Sequence, residues 1–366
     1  MAQRIDSFGD IVLAVDQLRA KNPNQILNDA AAYRNYTFFQ AFNRKKRIES
    51  GNGIETFIQL TKDNGGGYAN PDDTVSYQRT YGTQSAKIHW ALHIDSLTWG
   101  RLEEEMVGEG SDKLKTWFKP VMQRTTRMRT ACADFMEASL WAAPHADMEI
   151  TIGSTTTPTN PRRNYSIPSL ITPLGAAPSA FSGGTVQGIN PSTYANWKNQ
   201  SETFTDFDAE IEEKLWDLQV GCDWQSAGPS IKEITGTPQD GGVFYTDFAT
   251  YRELGSILKN RNDRMTYLGQ YHNGINFNGT AIRQVQAIGG KDTAETARRI
   301  FYVDWNYLDP VVFRDYFMKF VPPQGKSFWE DANTPLNRYL PQYTMFNLAL
   351  SGRKRHGIIT HETYSL

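Results

Sequence analysis

The sequence predicts an α+β fold, on two observations. The longest helical pattern in the chain covers residues 111–143, where apolar residues recur at steps of three and four. Four short segments instead carry strand patterns, at 54–61, 86–94, 243–245 and 300–303. No repeat of fixed period is visible. A chain of 366 residues is long enough for two or more subdomains, each with its own core.

Composition is globular but polar, with 39% hydrophobic and 21% charged residues and a formal net charge of −2. This balance excludes a strongly basic nucleic-acid binder. The two cysteines lack metal-ligand spacing, so we expect free thiols in a reducing compartment. No basic segment followed by an apolar run opens the chain, and nowhere do 18 apolar residues run together. We therefore expect neither a secretory signal nor a membrane span.

The helical pattern at 111–143 is organised around one apolar stripe. Its members are Leu114, Trp117, Phe118, Val121, Met122, Met128, Cys132, Phe135, Met136 and Leu140. Cations such as Arg129 lie between these positions and are expected on the polar face. Ser111 is the expected N-cap. Pro120 predicts either a kink or a start one turn later, at Val121.

The first fifty residues predict two short helices, the second opened by Asn22 and Pro23. It ends in four consecutive cations, Arg44, Lys45, Lys46 and Arg47, with a stop at Ser50-Gly51. Such a cluster either complements the helix dipole or offers a contact to a partner, and both interpretations stay open.

The strands predicted at 54–61 and 86–94 are separated by more than twenty polar residues. Hairpin loops normally have two to five residues, so we expect a long two-stranded loop that leaves the body of the protein. An isolated hairpin is marginally stable in water, and such a loop needs a partner to lie on. In the second strand, Ile88, Trp90, Leu92 and Ile94 are expected on one face.

The second half of the chain begins with residues 151–200, which lack periodicity and are expected to be functional or packed on a neighbour. A helix at 206–220 follows, with its apolar face on Phe207, Ile211, Leu215 and Leu218. Positions 202–217 hold seven acids against one lysine. Further predicted elements are a helix at 247–260, a strand–turn–strand at 274–288 with its second strand at 282–288, and a strand pair within 343–359 joined at Ser351-Gly352.

Catalytic and metal motifs are not found in the sequence. His89 and His93 are four residues apart in a strand-like segment, which separates them by roughly 13 Å, too far to share one ion. The Gly-Lys-Ser at 325–327 lacks the glycine that a phosphate-binding loop needs at position 320. The sequence therefore nominates no catalytic, cofactor or metal residue. A pair of carboxylates brought together only by the fold stays open.

Five phrases, taken in order, resemble a known family. They are GINPSTYANWKN (188–199), GGVFYTDFATYRELGSIL (241–258), INFNGTAIRQV (275–285), IFYVDWNYLDP (300–310) and LSGRKRHGIITHET (350–363). With the long loop and long helix before them, they resemble the major capsid protein of tailed double-stranded DNA bacteriophages, which has the Hong Kong 97-type fold. The resemblance implies five segments. These are an N-terminal arm (1–50), an extended loop (51–98), a peripheral domain with the long spine helix (99–165), an axial domain (166–310) and a return to the peripheral domain (311–366).

The resemblance implies self-assembly, as hexamers and pentamers, into an icosahedral shell around double-stranded DNA. It implies no catalytic residue and no cofactor. The implied partners are further copies of the chain, a scaffolding protein, a portal, a decoration protein and DNA contacted without sequence preference. The implied location is the virion, assembled in the host cytoplasm. We expect assembly contacts at Arg44, Lys45, Lys46, Arg47, Lys62, Tyr68, Tyr77, Arg79, Tyr81, Glu210, Glu212 and Glu213.

Two alternatives to the phage capsid remain. An encapsulin-like compartment has the same shell fold and encloses protein cargo. A soluble hydrolase would need a site that forms only in three dimensions.

Overall fold

The computed structural model divides the chain into two compact units, each assembled from three separate stretches. Unit 1 comprises Met1–Ser50, Trp90–Leu140 and Pro310–Asn347; unit 2 comprises Gly51–His89, Trp141–Asp309 and Leu348–Leu366. Within them, the structure describes residues 9, 12–13, 36–60, 83–101, 113–149, 162–181, 183–222, 242–260, 275–289, 293–324, 326–330 and 336–364. The five predicted segments stay a prediction.

Helices and strands are mixed in the described residues, so the predicted α+β class is confirmed. The helices are α1 (Thr37–Lys45), α2 (Lys113–Leu140), α3 (Ile167–Leu170), α4 (Phe207–Gly221) and α5 (Phe248–Asn260). The strands are β1 (Arg47–Glu49), β2 (Ile54–Gln59), β3 (Thr83–Ile88), β4 (Ala91–Gly100), β5 (Gln200–Phe204), β6 (Gly242–Thr246), β7 (Ile275–Phe277), β8 (Thr280–Gln284), β9 (Arg299–Asp304), β10 (Leu308–Phe313), β11 (Lys319–Phe320), β12 (Trp329–Glu330), β13 (Asn337–Leu350) and β14 (Gly357–His361).

Unit 1 is built on a sheet around β13, which pairs antiparallel with β4 along one side. The short strands β11 and β12 also pair with β13, and β1 pairs parallel with β10. Helix α2 packs on this sheet. Cys132 Sγ lies 3.6 Å from Thr344 Oγ1, and the Phe135 ring stacks on the His93 ring with centroids 3.8 Å apart.

Helix α2 has 28 residues, which corresponds to a length of about 42 Å. It begins at Lys113 and continues through Pro120, so the predicted start at Val121 is wrong. The predicted N-cap Ser111 lies outside the described residues.

In the second half of α2 the buried stripe is as predicted at Met128, Cys132, Met136 and Leu140. The other predicted members have side chains outside the described part of the helix, namely Leu114, Trp117, Phe118, Val121 and Met122. The prediction that Phe135 belongs to the buried stripe is wrong. Its side chain is 42% exposed and stacks on the His93 ring at the edge of the buried surface. Two charged residues, Arg129 and Glu137, are buried instead. The expectation that Arg129 lies on the exposed face is therefore also wrong.

The strand predicted at 86–94 is two strands. β3 ends at Ile88 and β4 begins at Ala91, with His89 and Trp90 forming the break. In β4 the buried positions are Ala91, Leu97 and Trp99, so Leu92 and Ile94, which were expected on one face with Ile88 and Trp90, are instead 44% and 54% exposed.

Helix α1 ends at Lys45, within the four consecutive cations as predicted. A strand starts at Arg47, so the helix has ended before the predicted stop at Ser50-Gly51. The predicted opening at Asn22 and Pro23 lies outside the described residues. The buried residues of α1 include Phe38, Phe39 and Phe42.

Unit 2 contains a six-stranded sheet in the order β5-β14-β9-β6-β8-β7. The predicted elements at 243–245, 247–260 and 300–303 are confirmed as β6, α5 and β9. The predicted pairing within 343–359 is wrong, because β14 pairs parallel with β5 and antiparallel with β9, whereas β13 belongs to the sheet of unit 1. A short 3-10 turn, Arg353–Arg355, separates β13 from β14.

The β7–β8 hairpin confirms the predicted strand–turn–strand. Asn278 and Gly279 connect it with φ values of 48° and 83°, the left-handed conformation that two-residue hairpin turns need. Strand β8 ends at Gln284 rather than Ile288. Val285 and Ile288 are buried in the following turn, which explains their apolar character.

The core of unit 2 lies between helices α4 and α5 and one face of the sheet. The predicted apolar face of α4 is confirmed, since Phe207, Ile211, Leu215 and Leu218 are each at most 1% exposed. No helix among the described residues is long and apolar enough to span a membrane.

Candidate assembly surfaces

The predicted two-stranded loop is present at its base, where β2 and β3 pair antiparallel with Ile54 opposite Ile88. One face of this pair is apolar and buried, including Ile58 and Ala86. The other face carries Phe57, which is 74% exposed. The candidates on the tip of the loop, Lys62, Tyr68, Tyr77, Arg79 and Tyr81, lie outside the described residues.

The base of the loop is tied to its own unit by the segment around residue 195. The Asn196 side chain donates to the carbonyl oxygen of Leu60 at 2.8 Å, and Gln84 Nε2 donates to the Tyr194 hydroxyl at 3.3 Å. Tyr194 and Asn196 both belong to the first of the five phrases, and their bonds hold the ends of the β2–β3 pair on unit 2. Contact of the loop with a neighbouring copy stays a prediction.

The four consecutive cations at 44–47 lie in different surroundings. Arg44 is exposed and Lys45 half-buried, both in the last turn of α1. Lys46 bonds to Asn43, its amine lies 4.8 Å from the centre of the Phe317 ring, and burial lowers its pKa to about 8. Arg47 pairs with Glu49 at 2.8 Å. Of the four, Arg44 is the exposed one, and Lys45 is its neighbour in the same helical turn.

The acidic residues between positions 202 and 217 also have different roles. Asp206 caps the helix by accepting from the backbone N–H groups of Asp208 and Ala209 at 3.0 and 3.3 Å. Glu210 accepts from the N–H of Thr205 at 3.1 Å. Glu202 of β5 pairs with Lys214 at 3.7 Å.

The remaining acids of α4 lie towards solvent. Asp208, Glu213 and Asp217 are exposed, and Glu212 is half-buried. Glu213 and Asp217 lie one helical turn apart on the same side of the helix. Glu213 and Asp217 therefore form the acidic surface that α4 offers to a partner.

A feature that the sequence analysis missed is the fully buried Arg353. Each of its five N–H groups donates to a neutral oxygen, namely those of Leu170 (2.6 Å), Gly175 (3.0 Å), Trp197 (3.2 Å), Ala176 (2.8 Å) and the Thr172 hydroxyl (2.9 Å). Burial lowers its pKa to about 9, which leaves it charged at pH 7. Part of the segment 151–200, which was expected to be functional or packed on a neighbour, is thus organised around one cation of its own unit.

The two histidines considered for a metal have other roles. His89 is buried, and its Nε2 lies 2.7 Å from the carbonyl oxygen of Arg163. Burial is the main cause that lowers the pKa of His89 to about 4, and the nearby Arg162 adds to it. His93 stacks on Phe135. Within the described ranges, no three His, Cys, Asp or Glu side chains cluster as metal ligands would, and Cys132 and Cys222 are buried free thiols.

Comparison with known proteins finds similarity in structure only. No protein-family model matches the sequence, and no curated protein matches it. Among solved structures, the chain is similar to the capsid asymmetric unit of cyanophage A-1(L), at 10% identity and a TM-score of 0.48, with 87% of this chain and 91% of that chain covered. It is also similar to the capsid of a native GTA particle, at 10% identity and a TM-score of 0.48, over 88% and 90% of the two chains.

These two structures are capsids. A third similar structure is the holo-SrpI encapsulin complex from Synechococcus elongatus PCC 7942, at 8% identity and a TM-score of 0.46, over 89% and 91% of the two chains.

Proposed function

We propose that this chain is the major capsid protein of a tailed phage, a structural subunit that assembles as hexamers and pentamers into an icosahedral shell around double-stranded DNA. The order of elements along the chain carries this proposal. The helix α1 comes first, then the β2–β3 loop, the 28-residue α2, the sheet of unit 2, and the return to the sheet of unit 1 through β10 and β13. This is the order that the sequence resemblance implies.

The β2–β3 pair supports assembly with a physical argument. It is a two-stranded sheet of its own with one face already buried, so its outer face is the one that can meet a partner. On its outer face the Phe57 ring is mostly exposed, next to the Glu55–Lys87 pair at 3.8 Å. A large exposed aromatic ring on a projecting loop favours a protein contact. In the proposed shell this loop lies across a neighbouring copy in the same ring.

Deletion of residues 63–82 tests the assembly role of the loop. We expect a folded subunit, with the circular dichroism spectrum and Tm of the full chain, that does not close shells. The matched control replaces the same residues with an equally long Gly-Ser segment, which keeps the chain length and removes the tip. If the deleted protein assembles as the full chain does, or if the full chain stays a monomer beside its scaffolding partner, the proposal is wrong.

A charge contact between copies is the second part of the proposal. Arg44 and Lys45 of one copy meet the acidic surface of α4, Glu213 and Asp217, on another. An exposed ion pair contributes only about 0–1 kcal/mol, but a closed shell repeats the contact in every copy.

Charge exchange tests this contact. The variant Arg44→Glu with Lys45→Glu should raise the protein concentration needed for assembly and leave the subunit folded, because both side chains reach solvent. Adding Glu213→Lys and Asp217→Lys should restore assembly, since the attraction returns with its signs reversed. Unchanged particle yield in the first variant, or no recovery in the second, would count against the contact.

The contents of the particle distinguish the proposed capsid from the encapsulin-like alternative. Particles from the native source should hold DNA that is protected from added nuclease, together with a portal and, before packaging, a scaffolding protein. A shell that instead retains one protein cargo and no nucleic acid would favour the compartment.

A further inference from the structure

The turn at 173–175 combines an exposed leucine with a backbone conformation that leucine disfavours. Leu174 has φ 62° and ψ 4° and is 80% exposed. Of the four described non-glycine residues with positive φ, Gln187 and Met318 are buried, and Asn278 is of the type that tolerates this region. Leu174 alone among these four places a large apolar side chain in water.

The turn is held in this conformation from both sides. Arg353 donates to the Gly175 carbonyl oxygen at 3.0 Å and to the Thr172 hydroxyl at 2.9 Å. Asn199 accepts from the Thr172 N–H at 3.1 Å and donates to the Thr172 carbonyl oxygen at 2.8 Å. Leu174 lies between these anchored residues, so its backbone is fixed before any partner arrives.

The backbone conformation of the turn is imposed within unit 2, but it leaves the Leu174 side chain 80% exposed. The buried cation and its neutral acceptors impose the turn, and the leucine gains little burial from it. Strained residues persist where the surrounding structure over-determines them, and they concentrate at binding sites. Because its backbone is already fixed, Leu174 also loses less conformational entropy when it binds a partner.

We propose that Leu174 is a preorganised apolar knob that docks on a second copy of this chain. The inference rests on the proposed shell function and adds a specific contact to it.

The small contact area of one leucine side chain favours a second copy of the chain over an unrelated partner. A stable protein interface buries about 1,200–2,000 Å², and one leucine side chain supplies a small part of that. A partner held by this knob alone would dissociate. In a closed assembly of identical copies the same weak contact occurs once per subunit, and the copies hold one another by many simultaneous contacts.

Two substitutions at position 174 separate docking from local packing. Leu174→Asn suits the left-handed conformation and removes the apolar surface, so the Tm of the subunit should be equal to or above that of the unsubstituted chain. Leu174→Met keeps both the strain and an apolar side chain. We expect the Asn variant to need at least about tenfold more protein for shell assembly, and the Met variant to assemble within about twofold of the unsubstituted chain.

Photo-crosslinking gives an independent readout. Leu174→p-benzoyl-phenylalanine, irradiated in assembled particles, should give a covalent dimer of the chain on a denaturing gel, and irradiation of dilute subunits should not.

Several results would overturn the inference. These are unchanged assembly of Leu174→Asn, a lower Tm for that variant, a Leu174→Met variant as defective as Leu174→Asn, or no crosslinked dimer from particles. Each leaves the proposed shell intact, because particles of the unsubstituted chain still form. If the unsubstituted chain forms no particles, the shell proposal itself fails and the inference fails with it.

Discussion

Replacing Arg353 with lysine should destabilise unit 2 strongly although the charge is kept. Arginine presents five N–H donors in a planar fork, and all five are used in this site. The lysine ammonium has three donors on one nitrogen, so at least two of the five buried acceptors lose their bond. A bond to a charged group contributes about 1.5–3 kcal/mol, which predicts a loss of about 3–6 kcal/mol in the free energy of unfolding.

Urea unfolding of the purified subunit, followed by circular dichroism, measures this loss. Hydrogen exchange of peptides covering 170–176 and 195–200 should also speed up, because their carbonyl groups surround the guanidinium. Arg355→Lys is the matched control in the same turn. Its guanidinium is half-buried, with a 3.5 Å bond to the Cys222 carbonyl oxygen, so we expect a loss below about 1 kcal/mol. Equal stability of the two variants would refute the role assigned to Arg353.

Three further predictions follow from buried or strained groups. His89 has a pKa of about 4 in the folded chain and near 6.5 when unfolded, so the unfolded chain binds the proton more tightly. The free energy of unfolding should therefore fall by about 3 kcal/mol as pH drops from 6.5 to 4. His89→Gln should lose that part of the pH dependence of Tm. Glu137→Ala should cost about 1–3 kcal/mol in urea unfolding, because it leaves the N–H of Phe39, bonded at 2.8 Å, without its buried acceptor, and Glu137→Gln should cost less. Gly279→Ala should cost about 1 kcal/mol by the same assay, since an added Cβ meets nothing within 4 Å and only the positive φ is unfavourable.

Contradictory results for these three are equally specific. The His89 assignment fails if the Gln variant keeps the full acid dependence. The Glu137 assignment fails if Ala and Gln variants are equally stable. A Gly279→Ala loss well above the backbone cost would mean that the hairpin has less room than the structure gives it.

Local patterns were predictable where one element alone determined burial. The apolar face of α4 follows from its spacing, because each of its four apolar residues meets the same core. The Asn278-Gly279 turn follows from the two residue types that most readily accept positive φ. In both cases the relevant interactions lie within one helix or one hairpin.

The errors arise where distant segments determine the structure. The alternation through 86–94 gave no sign of the break at His89, which bonds to the carbonyl oxygen of Arg163 far along the chain. The pairing of β14 was missed for the same reason. The short connection to β13 suggested a hairpin, but the partners of β14 are β5 and β9, which lie far from it along the chain.

Arg353 shows the same limit for the candidate surfaces. It sits beside Lys354 and Arg355 in sequence, and nothing in that run distinguishes the buried cation from its half-buried neighbours. Its acceptors come from residues 170–197, so only the folded unit identifies it. Leu174 was missed for the same reason, since its exposure and positive φ depend on that cation.

Electron microscopy of the expressed chain, alone and together with its scaffolding partner, tests the central claim most directly. We expect closed particles of uniform size with icosahedral symmetry, built from rings of six and five copies. A chain that stays monomeric under both conditions would contradict it.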